Sequence, residues 1–181
     1  MKRPGKPLDS QRLEELALHY VGRFATSRAK LATYLNRKLR ERGWDDESDP
    51  DVTALVARFA DRGYVDDAAF AAMKGRDLTS RGYGPRRVGQ ALYAAGIEEE
   101  DRSAALDAAQ SESVAAALQF ARRRRLGPFA VGDDSGAILD PRDRQRALAA
   151  FARAGHDFAL AARILDLEPG ADVDPDALSE P

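Results

Sequence analysis

The chain has no cysteine among its 181 residues, so it can form no disulfide and offers no thiolate to a metal or a substrate. Histidine is almost as scarce. His19 and His156 are far apart in sequence, and neither is accompanied by a nucleophile or a second metal-ligating histidine. Aromatic residues make up only 7%, and much of the 44% hydrophobic share is alanine. Several thin interfaces between alanine-rich helices are therefore expected rather than one large interlocked core. No apolar run approaches the roughly 20 residues that cross a bilayer, so no membrane partner is expected. Met1 to Pro7 is basic and has no apolar stretch, so no signal peptide is expected and a cytoplasmic location is. Glycine-rich phosphate loops of the Walker or dinucleotide type are missing as well. The acidic group Asp45, Asp46, Glu47, Asp49 and Asp51 lacks the glycine and terminal glutamate of a calcium loop, and reads as a solvated loop carrying a helix cap. No catalytic residue, metal or cofactor is expected, and the chain is read as a binding protein, not an enzyme.

Charge is plentiful, at 32% of residues, and unevenly spread. Asp166, Glu168, Asp172, Asp174, Asp176 and Glu180 crowd the C-terminal end without a basic residue among them. The rest of the chain keeps 28 basic and 24 acidic residues, turning a net charge of −2 into +4. Arg122 to Arg125 is an unbroken arginine run. A basic body with an acidic end points to a polyanionic partner, although solvated helices carry charge too.

Helical periodicity runs from the start. Leu13, Leu16, Ala17, Tyr20, Val21 and Phe24 share one face, Leu31, Tyr34, Leu35 and Leu39 a second, and Val52, Leu55, Val56 and Phe59 a third. Asp49-Pro50, Gly84-Pro85 and Asp140-Pro141 have the form of a cap followed by a proline in the first turn. Leu39-Arg-Glu-Arg-Gly43-Trp44, Leu92-Tyr-Ala-Ala-Gly96-Ile97 and Phe151-Ala-Arg-Ala-Gly155-His156 share a pattern: an apolar knob, a chain-reversing glycine, and a bulky staple beyond it. These signals predict nine helices, over 10–24, 27–42, 50–62, 66–81, 85–95, 99–109, 112–125, 141–154 and 157–166. The expected fold is all-α, with three tandem three-helix repeats of helix-turn-helix type in an elongated, curved array. The divisions are a flexible start (1–9), repeats over 10–65, 66–110 and 111–167, a loop insertion (127–140) in the third, and an acidic disordered tail (168–181).

Two segments carry a family resemblance: GYVDDAAFA from Gly63 and RGYGPRRVGQAL from Arg81. With SRAKLATYLNRKLRERGW in the first repeat and the looser DRQRALAAFARAGHDFALAARIL in the third, the chain resembles the RecX family over about residues 10–167. It departs from the family pattern at Trp44, at His156 and at Lys74-Gly75, which bears on the packing of the fourth helix and the last repeat. The residues also have a purely structural account. Asp66 caps the fourth helix, Asp67 favours its positive end, Gly82 stops it, and Gly84 frees the backbone before Pro85.

The resemblance implies a monomeric regulator that binds RecA protein filaments on single-stranded DNA, with double-stranded DNA a further candidate. It would modulate recombinase, ATPase and coprotease activity, mostly by inhibition, in recombination and repair. An autonomous DNA-binding protein of helix-turn-helix type is the alternative. Candidate contact residues are Arg37, Lys38 and Arg42 on the second helix, Arg81 and Tyr83 before the fifth, Arg86 and Arg87 in its first turn, and Arg122, Arg123 and Arg124 on the seventh. Tyr83 reads equally as a packed hinge residue, and the basic positions as a solvated face.

Overall fold

The computed structural model describes residues 6–130 and 140–179, and all of its helices except one 3-10 turn are α-helices. Each of the nine predicted helices is present with ends within three residues of expectation. The chain packs as two units, Met1–Ala71 with Tyr93–Asp101, and Ala72–Leu92 with Arg102–Pro181.

The first unit contains α1 (Ser10–Val21), α2 (Arg28–Arg42) and α3 (Val52–Asp61). Each starts on a side-chain cap. Asp9 accepts the Arg12 amide at 2.8 Å, Ser27 the Lys30 amide at 3.2 Å, and Asp51 the Ala54 amide at 2.8 Å. The α3 cap is therefore Asp51, and the Asp49-Pro50 pair expected in that role lies just ahead of the helix. Leu13, Ala17, Leu31, Leu35, Val52, Leu55, Val56 and Phe59 form the core, as their periodicity requires. Leu8 joins them with no exposed surface, although residues 1–9 were expected to be flexible. Its amide donates to the Gly43 carbonyl (3.0 Å), its carbonyl accepts from Asp45 (2.8 Å), and Arg42 Nε holds the Lys6 carbonyl at 2.8 Å. A short parallel bridge to Trp44 results.

Two of the segments that carry the resemblance, and Ala95 just beyond a third, meet in this unit. The Ser27 hydroxyl donates to the Ala95 carbonyl at 2.6 Å, and Asp67 accepts the Arg28 amide at 2.8 Å. Asp67 thus satisfies the start of α2, while Asp66 caps α4 by accepting the Ala69 amide at 2.8 Å. Burial raises the Asp67 carboxyl above the usual carboxylate range, against the pull of the Arg28 amide.

Helices α4 (Asp67–Ser80), α5 (Pro85–Ala94) and α6 (Glu99–Ser111) contribute residues to both units. The second unit adds α7 (Ser113–Arg124), the 3-10 turn Gly127–Phe129, α8 (Pro141–Ala154) and α9 (Phe158–Asp166). Its core runs through Ala117, Phe120, Ala147, Phe151, Leu160 and Ile164. Gly127 and Pro128 are buried, so the loop expected over 127–140 begins inside the core; residues 131–139 lie outside the described part. Leu178 is buried there too, in the stretch expected to be a disordered tail, whose residues 180–181 are outside the described part.

Gly84 and Gly155 hold α5 against the α8–α9 corner by direct backbone contact. The Gly84 amide donates to the Ala154 carbonyl at 2.9 Å, and the Arg86 amide to the Gly155 carbonyl at 3.2 Å. A Cβ on Gly84 would stand 2.7 Å from the His156 nitrogen and closer still to the Gly155 carbonyl. Gly155 itself has φ +91°, the left-handed conformation its corner needs. Beside this contact His156, 1% exposed, donates from Nε2 to the Gly82 carbonyl at 3.0 Å and packs on Phe120 and Phe151. Nδ1 has no hydrogen-bond partner among the described residues. Burial accordingly pushes the His156 imidazole below its usual range, only partly opposed by the Gly82 bond.

Gly84→Ala should destabilise the fold by about 1–3 kcal/mol or more, because the obstruction is rigid backbone. Gly75→Ala should instead stabilise it by up to about 1 kcal/mol. Gly75 lies inside α4, where a new methyl would meet Ala105 Cβ at 3.6 Å and Val88 Cγ1 at 3.7 Å, ordinary contact distances. Thermal melts of the two variants decide both signs. Separately, His156 has a folded pKa below its unfolded value, so the unfolded chain takes up its proton first. Stability should then decline as pH falls below about 6.5, through the folded pKa. Urea titrations at about pH 7.5 and 5.5 should show this decline reduced in His156→Gln; an equal decline in both proteins would remove the histidine as its source.

Candidate nucleic-acid interface

Local structure explains where the arginines stand. Arg122, Arg123 and Arg124 occupy the last turn of α7, where unpaired carbonyls carry the negative end of the helix dipole. Arg125 then takes a left-handed conformation at φ 55° and ends the helix. Arg86 and Arg87 sit in the first turn of α5, an adverse place for cations by that helix alone. The C-terminal carbonyls of α8, however, meet α5 at this end, and their partial negative charge faces the same turn.

Arg81, Tyr83, Arg123 and Arg124 line one recess of about 290 Å³, together with Phe120, Ala150, Arg153 and Ala154. Four arginines therefore border one concavity. They are held by different means. Arg123 donates to the Arg81 carbonyl at 2.7 Å, which ties the end of α7 to the Gly82 corner. The Arg81 guanidinium lies 5.7 Å from the Tyr83 ring centre and 3.5 Å from Asp77. That of Arg124 lies 5.5 Å from Phe120. Among the described residues no carboxylate comes within 4.0 Å of Arg123, Arg124 or Arg153. Tyr83 is half-buried against the second core, so its packing role and its place in the recess coexist.

The other candidates stand elsewhere. Arg122 covers Phe129 at 4.8 Å and does not line the recess. Arg86 lines a different hollow, of about 440 Å³, where it pairs with Asp157 at 3.5 Å. Asp157 caps α9 and is held below the usual carboxylate range, first by the Ala159 amide and then by that of Leu160. Arg87 is exposed and lines neither hollow. Arg37, Lys38 and Arg42 belong to the first unit. Arg37 and Lys38 share Glu41, at 3.8 and 2.6 Å, and the Lys38 hydrogen bond chiefly lowers that carboxyl's pKa. Arg42 is a tether for Lys6. Sequence reasoning missed Arg153. It lies within the Phe151–Gly155 corner, and only tertiary packing turns it toward α7.

The acidic loop has structural duties. Asp46 accepts both the amide (3.1 Å) and the hydroxyl (2.6 Å) of Ser10, bonds that lower its pKa. Among the described residues no group of three or more metal-ligating side chains is found, and no helix is long and apolar enough to cross a membrane.

Residues 66–106 match the family model described as the second three-helix domain of RecX. The regulatory protein RecX of Myxococcus xanthus is 35% identical over 179 residues, covering 93% of this chain and 91% of its own. That of Xanthomonas campestris pv. campestris is 36% identical over 123 residues, covering 68% and 69%. The crystal structure of RecX from Lactobacillus salivarius superposes with a TM-score of 0.59 at 17% identity, over 85% of this chain and 92% of that one. A second crystal structure of a regulatory protein RecX gives 0.60 at 21% identity, over 86% and 71%. These two establish the shared all-helical fold. The length and identity of the sequence matches place this chain in the RecX family of regulatory proteins.

Proposed function

We propose that this protein binds RecA filaments on single-stranded DNA and modulates them, mostly by inhibition of recombinase, ATPase and coprotease activity. One observation carries the reading beyond family membership: Arg81, Arg123, Arg124 and Arg153 border a single recess with Tyr83 at its wall. Guanidiniums recognise phosphate or carboxylate through paired hydrogen bonds, and an aromatic wall accepts a base or an apolar side chain. No acid–base pair or nucleophile accompanies them, so the recess is suited to holding a ligand rather than transforming it. In this reading the chain acts as a monomer of three three-helix repeats, with the RecA protein hydrolysing the ATP. Arg86, Arg87, Arg37 and Lys38 would be outlying contacts with the same polyanionic partner.

The test is a RecA ATPase assay on single-stranded DNA with sub-stoichiometric protein, over a series of salt concentrations. Wild-type protein should inhibit, and more weakly as salt rises. The triple variant Arg123→Ala, Arg124→Ala, Arg153→Ala should keep its helicity and lose inhibition. Its binding should fall less steeply with salt, by about one unit of slope for each phosphate contact removed. Tight, sequence-selective duplex binding without RecA would instead support an autonomous helix-turn-helix DNA-binding protein. Undiminished inhibition by the folded triple variant would take the recess out of the site.

A further inference from the structure

The first unit carries a row of three rings, of which Tyr20 and Tyr34 are half-buried against the core and Phe24 is exposed. Phe24 falls on the apolar face of α1 in sequence, yet α1 ends at Val21 and leaves Phe24 52% exposed. Tyr20 is the middle of three rings. It stacks on Tyr34 with centroids 4.2 Å apart and planes 17° apart, and meets Phe24 at 5.3 Å and 48°. Both ends of this row bear cations. The Arg23 guanidinium lies 5.9 Å from the Phe24 centre, and Arg37 and Lys38 lie 5.7 and 5.8 Å from that of Tyr34. Glu41 offsets one of the three charges through Lys38 and Arg37. The surrounding sequence supports a polyanionic ligand independently. About one residue in six of the chain is acidic, yet residues 16–40 contain six lysines and arginines and no aspartate or glutamate.

We propose that this row is a stacking ledge for the unpaired bases of a single-stranded nucleic acid. Every base has a π-face, so aromatic rings flanked by cations grip a single strand without selecting its sequence. A duplex keeps its bases stacked on one another and offers the ledge only phosphates. An acidic peptide would satisfy the cations and leave Phe24 unused, which is why the exposed ring favours a nucleobase. The ligand's identity rests on the functional reading above; the ledge itself rests on different residues from the arginine recess.

The experiment measures binding of the full chain, without RecA, to a fluorescent oligothymidylate and to an abasic strand of the same length and charge. The base-bearing strand should bind about five- to a hundred-fold more tightly. Phe24→Ala, a change at an exposed site, should remove most of that advantage without altering the salt dependence, and Phe24→Trp should restore it. Arg37→Glu should lower the salt slope for both strands. Photocrosslinking from 5-iodouracil should reach Phe24, Tyr20 or Tyr34. Equal binding of the two strands, no binding of either, or crosslinks confined to other residues would each overturn the ledge. If wild-type protein inhibits RecA but shows no preference for bases, the ledge fails and the functional reading stands. If it prefers bases in the predicted manner but leaves RecA untouched, the ledge stands and that reading fails.

Discussion

The second unit depends on two stretches of backbone lying in contact with no side chain between them. Gly84 opens α5 directly against Gly155, where α8 turns into α9, and amides of one corner donate to carbonyls of the other. The carbonyls left over at the end of α8 thereby meet amides left over at the start of α5, and both helices lose unsatisfied polar groups at once. His156 closes the side of the contact by bonding the Gly82 carbonyl, and Phe120 and Phe151 keep water from the imidazole. The Arg-Gly-Tyr-Gly-Pro segment is therefore a fitted surface as well as a turn. The same arrangement sets the distance between Arg81 and Tyr83 on one side and Arg153 on the other, so the recess follows from the packing.

Positive charge is managed by helix ends. The arginines of α7 stand at a carbonyl-rich terminus, and those of α5 face a neighbouring one. Such dipoles ease the crowding of like charges while leaving the guanidiniums open to solvent. Carboxylates are used differently. Asp9, Asp51, Asp66, Asp140 and Asp157 cap helices, and Asp46 and Asp67 tie distant segments together. These carboxylates keep their charge while holding amides, and Asp9, Asp67 and Asp157 also pair with Arg12, Arg28 and Arg86.

Helix positions were largely legible from sequence because their signals are local. A cap, a periodic stripe and a terminal glycine lie within one segment, and Gly43, Gly96 and Gly155 all adopt the positive φ that the repeated corner pattern implies. What stayed hidden was tertiary. Leu8 sits among polar residues before the first helix and shows its role only when α2 and Trp44 receive it. Asp67 looks like an ordinary first-turn acid until α2 places the Arg28 amide against it. Phe24 matched a helical stripe that the chain leaves one turn too early. The recess was half legible: Arg81, Tyr83, Arg123 and Arg124 stood out in basic or motif-bearing stretches, whereas Arg153 lay inside a pattern already explained by helix termination.

Leu178 gives the acidic end a second character. Its side chain is buried in the core of the second unit, so the carboxylates at Asp172, Asp174 and Asp176 are moored rather than free to roam. Clipping the chain just before this leucine would remove a single formal charge yet open an oily hollow to water. Trimmed versions of the protein would then differ from the intact one in solubility and folding for reasons unrelated to electrostatics, and a polar substitute at this one position would mimic the loss while leaving every carboxylate in place.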